Sequence, residues 1–167
     1  ETVIFDRAES PWRLPTQHML VGNILDTAQV NEACEGAEVV FNFAGIADIG
    51  AADRDPVMTC QVNVVGTLNT IEAALKAKAR RYMFASTVYV YSELGGFYRA
   101  SKQSCERFIE TYHDRRGLEF TILRYGTLYG RRAGPGNRIW MMLTQALREG
   151  RISYPGSGAA QRDFIHA

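Results

Sequence analysis

Long apolar runs are missing from this sequence, and so are a charge imbalance, a paired set of cysteines and any internal repeat. No stretch approaches the ~20 apolar residues that a helix needs to cross a bilayer, and no basic-then-apolar segment opens the chain. Neither a membrane span nor a signal peptide is therefore read here. Nineteen Lys and Arg against eighteen Asp and Glu leave a net charge of +1. That balance provides no field to hold nucleic acid or an anionic membrane surface. Cys34, Cys60 and Cys105 are odd in number and lack C-x-x-C spacing. They read as free buried thiols of a soluble, cytoplasmic protein, with neither a disulfide framework nor a metal site. Lysine is scarce, three against sixteen arginines, so each lysine's position carries information. Apolar material is plentiful, 46% of 167 residues, which suffices for a buried core.

That material is laid out as short runs, each followed by helical periodicity. Strands are predicted at residues 2–5, 18–21, 38–43, 81–85 and 120–125, and helices at 27–33, 56–79, 98–112 and 139–148. The run 38–43 is apolar on both faces, so it is expected in a sheet covered on both sides. Pro56 suits a first helical turn, and Val57, Val64, Leu68, Ile71 and Leu75 follow at near-3.6 spacing. In the helix over 98–112, Cys105, Phe108, Ile109 and Tyr112 are expected to face inward. Asn137 is a predicted N-cap and Gly150 a C-terminal stop. Alternating strands and helices imply right-handed crossovers and a Rossmann-type, doubly wound, mostly parallel α/β sheet. Ligands of such sheets bind beyond the carboxyl ends of the strands. The chain opens in mid-strand and stops inside another apolar element, 163–167, so a piece of a longer protein is expected.

Residues just after the strands are the candidates for chemistry. Asp6 can accept both ribose hydroxyls of an adenine dinucleotide and repel a 2′-phosphate, or can simply cap a turn. Arg7 beside it suits a 2′-phosphate, so NAD is favoured with NADP left open. Asn23 can bond an adenine edge, while Asp26 caps the next helix. Phe43-Ala44-Gly45 lets backbone approach a pyrophosphate or ribose, although a tight turn needs the same small residues. Tyr98 and Lys102 lie four apart, hence on one face of a helix. A phenol of ordinary pKa is a poor base at neutral pH, and a nearby ammonium favours the phenolate, so Lys102 is expected to draw Tyr98 downward. An exposed pair with a solvated lysine is the plain alternative. Ser86-Thr87, ending the preceding strand, can orient a substrate oxygen beside the phenol.

Six segments occur in order: 40–46 (Val-Phe-Asn-Phe-Ala-Gly-Ile), Asn63-x-x-Gly66-Thr67, Phe84-Ala85-Ser86-Thr87 with Val90-Tyr91, Tyr98-x-x-x-Lys102, Leu123-Arg124-Tyr125 with Tyr129-Gly130, and 162–166 (Arg-Asp-Phe-Ile-His). Together they resemble the extended short-chain dehydrogenase/reductase family, and within it UDP-galactose 4-epimerases and sugar-nucleotide dehydratases. The resemblance implies an NAD-dependent enzyme acting on a nucleotide sugar, with Thr87, Tyr98 and Lys102 catalytic. It implies cofactor contacts at Asp6, Arg7, Asn23 and Ile24, at Phe43, Ala44 and Gly45, and at Asn63, Ala85, Tyr98, Lys102 and Tyr125. The Asn63 position is one that supports the active-site strand in the family. Substrate contacts fall at Thr87, Thr127 and Asn137, at Tyr154, where a base often stacks, and at Arg162, which binds a phosphate. A homodimer through the helices at 57–79 and 98–112 is implied as well. Residues 1–130 correspond to a partial NAD-binding domain that lacks its first strand and glycine-rich turn, and 131–167 to the start of the nucleotide-sugar-binding region. Only ten residues separate Thr87 from Tyr98, fewer than is usual, so a remodelled substrate pocket is expected.

Overall fold

The structure, a computed structural model, describes residues 1–154, 161 and 163–167. Its strands are short because turn-forming or polar residues bound each apolar run. β1 (Val3–Asp6) pairs in parallel with β2 (His18–Val21), Val3 opposite His18 and Asp6 opposite Val21. α1 (Thr27–Ala33) starts on Asp26, whose carboxylate accepts the Ala28 and Gln29 N–H groups and satisfies two donors orphaned at the helix start. β3 (Val39–Asn42) runs parallel to β4 (Arg81–Thr87), and β5 (Phe120–Tyr125) completes a sheet of order β3-β4-β5. The connection from β3 to β4 carries α2 (Ile49–Arg54), α3 (Pro56–Thr59), a π-helical turn (Cys60–Val65) and α4 (Gly66–Lys76). A 3-10 turn (Val88–Tyr91) then leads to α5 (Gly96–Arg116), which Gly117 ends in the left-handed conformation at φ 69°. Val30, Ile71, Tyr82, Phe84, Cys105, Ile109 and Leu118 form the core between these elements.

The chain divides into two compact units, Glu1–Arg124 and Tyr125–Ala167. In the second, β6 (Thr127–Tyr129) pairs in parallel with β7 (Phe164–His166), and α6 (Arg138–Glu149) runs from its Asn137 cap to a left-handed Gly150. Among the described residues no helix is long and apolar enough to cross a membrane.

The α/β class and the parallel pairing agree with the sequence pattern, with the strands distributed over three sheets. Four details differ from it. The predicted helix over 56–79 is helical only to Lys76 and carries the π turn. One extra residue per turn rotates everything before it by ~100°, so Val57, expected inward, is 68% exposed while Thr59 and Asn63 are buried. The two faces of β3 are buried unequally: Val40 and Asn42 are buried and Val39 is half-buried, but Phe41 and Phe43 are 56% and 62% exposed and stack on each other, ring centres 6.1 Å apart. Phe108, expected inward, is 41% exposed. Its place on the inward face of α5 is taken by Lys102 and Glu106, both buried. The short helix α2 carries no periodic signal long enough to predict.

Candidate active site

Residues 98, 102, 105, 106 and 109 follow one another at helical spacing, so α5 turns a single stripe toward β4. Tyr98 and Lys102 are 9% and 4% exposed, which excludes the solvated surface pair. Lys102 Nζ donates to the Ala85 carbonyl at 2.8 Å and lies 4.7 Å from the centre of the Phe84 ring. A buried ammonium needs such partners, because desolvation disfavours its charge and holds the Lys102 pKa below its ordinary value. Thr87 ends β4, and its hydroxyl accepts the Tyr89 N–H at 3.2 Å, shaping the turn that brings the chain back to α5.

Tyr98 corrects one expectation. Burial pushes its phenol above the ordinary value, the Thr87 hydroxyl beside it pulls it down, and Tyr89 pushes it up again. Lys102 does not acidify it here. The ammonium is 6.0 Å from the tyrosine ring centre and is directed at Ala85 instead, so desolvation wins over attraction.

Asn63 corrects another. Its side chain does not reach β4. Oδ1 accepts the Ile46 N–H at 2.7 Å, and Nδ2 donates to the Ile46 carbonyl at 3.1 Å and to Ser101 Oγ at 2.9 Å. Ser101 in turn donates to the Tyr98 carbonyl at 2.7 Å. The residue thus ties the loop after β3 to the helix that carries Tyr98. The π turn leaves the Asn63 carbonyl to accept the Cys105 thiol at 3.1 Å. Gly45 completes this junction: a Cβ there would stand 3.0 Å from Asn63 Oδ1 and 3.6 Å from Lys102 Nζ. Only glycine leaves that space open beside the ammonium.

Asn42 is a supporting residue that the apolar reading of β3 missed. Its amide nitrogen lies within hydrogen-bond distance of the Thr67, Thr70 and Tyr82 hydroxyls at 3.1, 3.2 and 2.9 Å, and its Oδ1 accepts the Ala44 N–H at 3.1 Å. A polar residue inside an otherwise apolar strand was the available signal. This network sets where Phe43-Ala44-Gly45 leaves the sheet.

The dinucleotide candidates sit at the carboxyl ends of β1 and β2. Asp6 and Arg7 are exposed, and the Asp6 carbonyl accepts the Gly22 N–H at 2.9 Å. Asn23 Oδ1 accepts the Leu25 N–H at 3.0 Å, which closes a local turn after β2. Ile24 packs where Gly66 gives α4 no side chain, and its carbonyl accepts Asn69 Nδ2 at 3.0 Å.

In the second unit, Thr127 is held in β6 by its N–H to the Asp163 carbonyl at 2.8 Å. Both polar atoms of the Asn137 amide are engaged, Oδ1 by the Trp140 N–H at 3.1 Å and Nδ2 by the Leu128 carbonyl at 2.5 Å. The Arg138 guanidinium lies 5.3 Å from the Tyr154 ring centre. Tyr129, Arg131, Arg132 and Asn137 help to line an open cavity of about 500 Å³. Tyr125 opens this unit, and Arg162 lies outside the described residues.

The UDP-glucuronate 4-epimerase of Thermodesulfobacterium geofontis is 27% identical to this chain over 140 residues, 76% of this chain and 43% of that protein. The UDP-N-acetyl-alpha-D-glucosaminuronate decarboxylase of Bacillus cytotoxicus is 32% identical over 164 residues, 86% of this chain and 51% of that one. Among solved structures, UDP-glucose 4-epimerase of Thermus thermophilus in complex with NAD is similar with a TM-score of 0.83 at 25% identity, over 99% of this chain and 62% of that one. The chain spans about half the length of the curated relatives it matches. Residues 1–167 match the family described as NAD dependent epimerase/dehydratase. With a match that runs along every residue, the chain belongs to the NAD-dependent epimerase/dehydratase family.

Proposed function

We propose that this chain forms part of a nucleotide-sugar epimerase or dehydratase in which Tyr98 moves the proton of a sugar hydroxyl. The observation that carries the reading is the shared inward face of Tyr98 and Lys102 on α5, with Thr87 of β4 beside the phenol. Tyr98 takes the hydroxyl proton in its phenolate form, the minority form while burial holds its pKa up, and Thr87 bonds the same sugar oxygen and holds it toward the phenol. Lys102 uses one of its three N–H donors on Ala85, which leaves two for the hydroxyls of a ribose. Gly45 keeps the space beside that ammonium open, so the residues present fit an NAD ribose. NAD, when bound, supplies the acceptor for the hydride that leaves the same sugar carbon. In this reading Asp6 accepts the adenosine ribose hydroxyls, and Asn23, Ile24, Phe43 and Ala44 line the rest of the cofactor site. Thr127, Tyr154 and Arg162 serve the nucleotide sugar.

Residues 1–130 act as the cofactor-binding part and 131–167 as the start of the sugar-nucleotide part. No glycine-rich G-x-x-G-x-x-G turn occurs among the 167 residues, so the pyrophosphate cradle is not supplied by them. A homodimer through the helices at 57–79 and 98–112 accounts for the exposed Val57, Met58, Val65 and Phe108 on those elements. Arg7, exposed beside Asp6, supports the second reading, an NADP-dependent reductase of a small carbonyl compound. In that case Arg7→Ala weakens NADP binding and spares NAD.

The test is incubation of the complete protein with UDP-, GDP- and dTDP-sugars, scoring products and reduced-nicotinamide absorbance. Tyr98→Phe is expected to lower kcat by roughly 10²- to 10⁴-fold. Turnover undiminished in Tyr98→Phe overturns the assignment.

A further inference from the structure

One turn beyond Lys102 on the same face of α5 stands a carboxylate that the chemistry above does not use. Glu106 is 7% exposed, and its two oxygens hold partners from two strands. Ser86 Oγ, in β4, donates to Oε1 at 2.5 Å. Arg124, in β5, donates from Nε to Oε1 at 3.1 Å and from Nη2 to Oε2 at 2.7 Å. The guanidinium continues to the 3-10 turn, where its Nη1 donates to the Tyr91 hydroxyl and the Tyr91 ring centre lies 4.9 Å away. One buried side chain therefore ties the ends of β4 and β5 and the turn after β4 to the helix that carries Tyr98. The partners bracket Thr87: Ser86 precedes it, and Tyr91 closes the turn that the Thr87 hydroxyl caps.

Stability alone does not account for this arrangement. Burying a carboxylate is costly, and an apolar residue of similar volume often serves a helix-sheet junction equally well. What a bidentate arginine pair adds is direction, since it fixes the relative orientation of the elements it joins. A proton-transfer site gains from that, because small displacements of a reacting group lower rate steeply.

We propose that Glu106 is a positioning residue, which through Ser86 and Arg124 holds Thr87 in register with Tyr98. The proposal rests on the reading that Thr87 and Tyr98 meet the same sugar oxygen. It predicts a loss in kcat with little change in ligand affinity, and a loosened turn after β4.

The experiment compares Glu106→Ala, Glu106→Gln, Ser86→Ala and the double variant Ser86→Ala/Glu106→Ala in the complete protein. Glu106→Ala is expected to reduce kcat by roughly 10- to 100-fold on whichever of UDP-glucose, UDP-glucuronate and dTDP-glucose is turned over, with KM and the NAD Kd changed less than about threefold. Ser86→Ala is expected to lose less, and to lose nothing further when Glu106 is already alanine. Glu106→Gln keeps the volume and the acceptor for Ser86 but sets an amide against Arg124 Nη2, so it loses an intermediate amount and serves if the alanine variant fails to fold. Hydrogen exchange at the Tyr89 amide, which donates to Thr87 Oγ1, is expected to quicken about tenfold in Glu106→Gln and to stay unchanged in Tyr98→Phe. That readout requires no turnover. If no sugar reacts while Tyr89 exchange quickens, the substrate reading fails and the clamp stands. Unchanged kcat, additive losses for Ser86 and Glu106, or unchanged Tyr89 exchange would overturn the proposal.

Discussion

α5 and α6 are both amphipathic by sequence, and their fates differ. α5 buries Tyr98, Ser101, Lys102, Cys105, Glu106 and Ile109, four of them polar or charged side chains or carrying a polar tip. α6, with its Trp, Met and Leu residues, buries none of its own, and Leu143 and Leu147 are 58% and 89% exposed. Apolar content therefore does not decide burial here. The partner does. α5 lies against β4 and the π turn, which offer carbonyls, hydroxyls and an amide to its polar stripe, whereas α6 is secured by a cap at each end. Burying polar groups is tolerated where partners meet them, as they do along the Ser101, Lys102 and Glu106 stripe of α5.

The contrast can be broken at Lys102. If α5 is buried for chemistry, Lys102→Met should abolish turnover by at least about a hundredfold while the protein still folds. Its stability should also track pH in a definite direction. Burial lowers the Lys102 pKa from the ordinary 10.5, so the folded state binds that proton less tightly than the unfolded state. The penalty is full below the lowered value and fades as pH rises through it toward 10.5. Denaturant midpoints measured from pH 7 to 10 should therefore shift in favour of wild type relative to Lys102→Met. A constant difference would mean that the ammonium is not desolvated.

Asn63→Ala probes the same stripe from the opposite side. It strips partners from both Ile46 backbone groups and from Ser101. A loss of about 2–3 kcal/mol is expected, seen as a drop of roughly 5–10 °C in thermal midpoint. A drop below about 2 °C would show that the loop after β3 holds itself.

The smallest effect is expected in α6. Asn137→Ala should cost about 1 kcal/mol of local helix stability, readable by circular dichroism, with the KM for a nucleotide sugar changed less than about twofold. A larger rise in KM would add a substrate contact to the cap at Asn137 and weaken the contrast between the two helices.

Much of the frame was legible because it depends on local periodicity. The parallel strands, the start of α1 on Asp26, the Asn137 cap and the inward Cys105 and Ile109 follow from spacing and capping chemistry alone. Tyr98 and Lys102 share a face for the same reason. The rest depends on partners far along the chain. Asn42 is satisfied by hydroxyls 25 to 40 residues away, and Glu106 by Ser86 and Arg124, 20 and 18 residues away. Spacing can reveal that Glu106 is the acidic residue on the inward stripe of α5, yet not that two strands converge on it. The π turn has no composition signal, and it turned Val57 outward.

The amino-acid sequence by itself determined the order of elements and put a phenol and an amine one turn apart, since helix pitch and strand alternation are properties of the backbone. Only the tertiary structure decided how much water those groups keep and which distant side chains meet them. On that rest the raised phenol of Tyr98, the lowered ammonium of Lys102 and the carboxylate of Glu106 that Arg124 holds, because desolvation and pairing arise only when the strands come together.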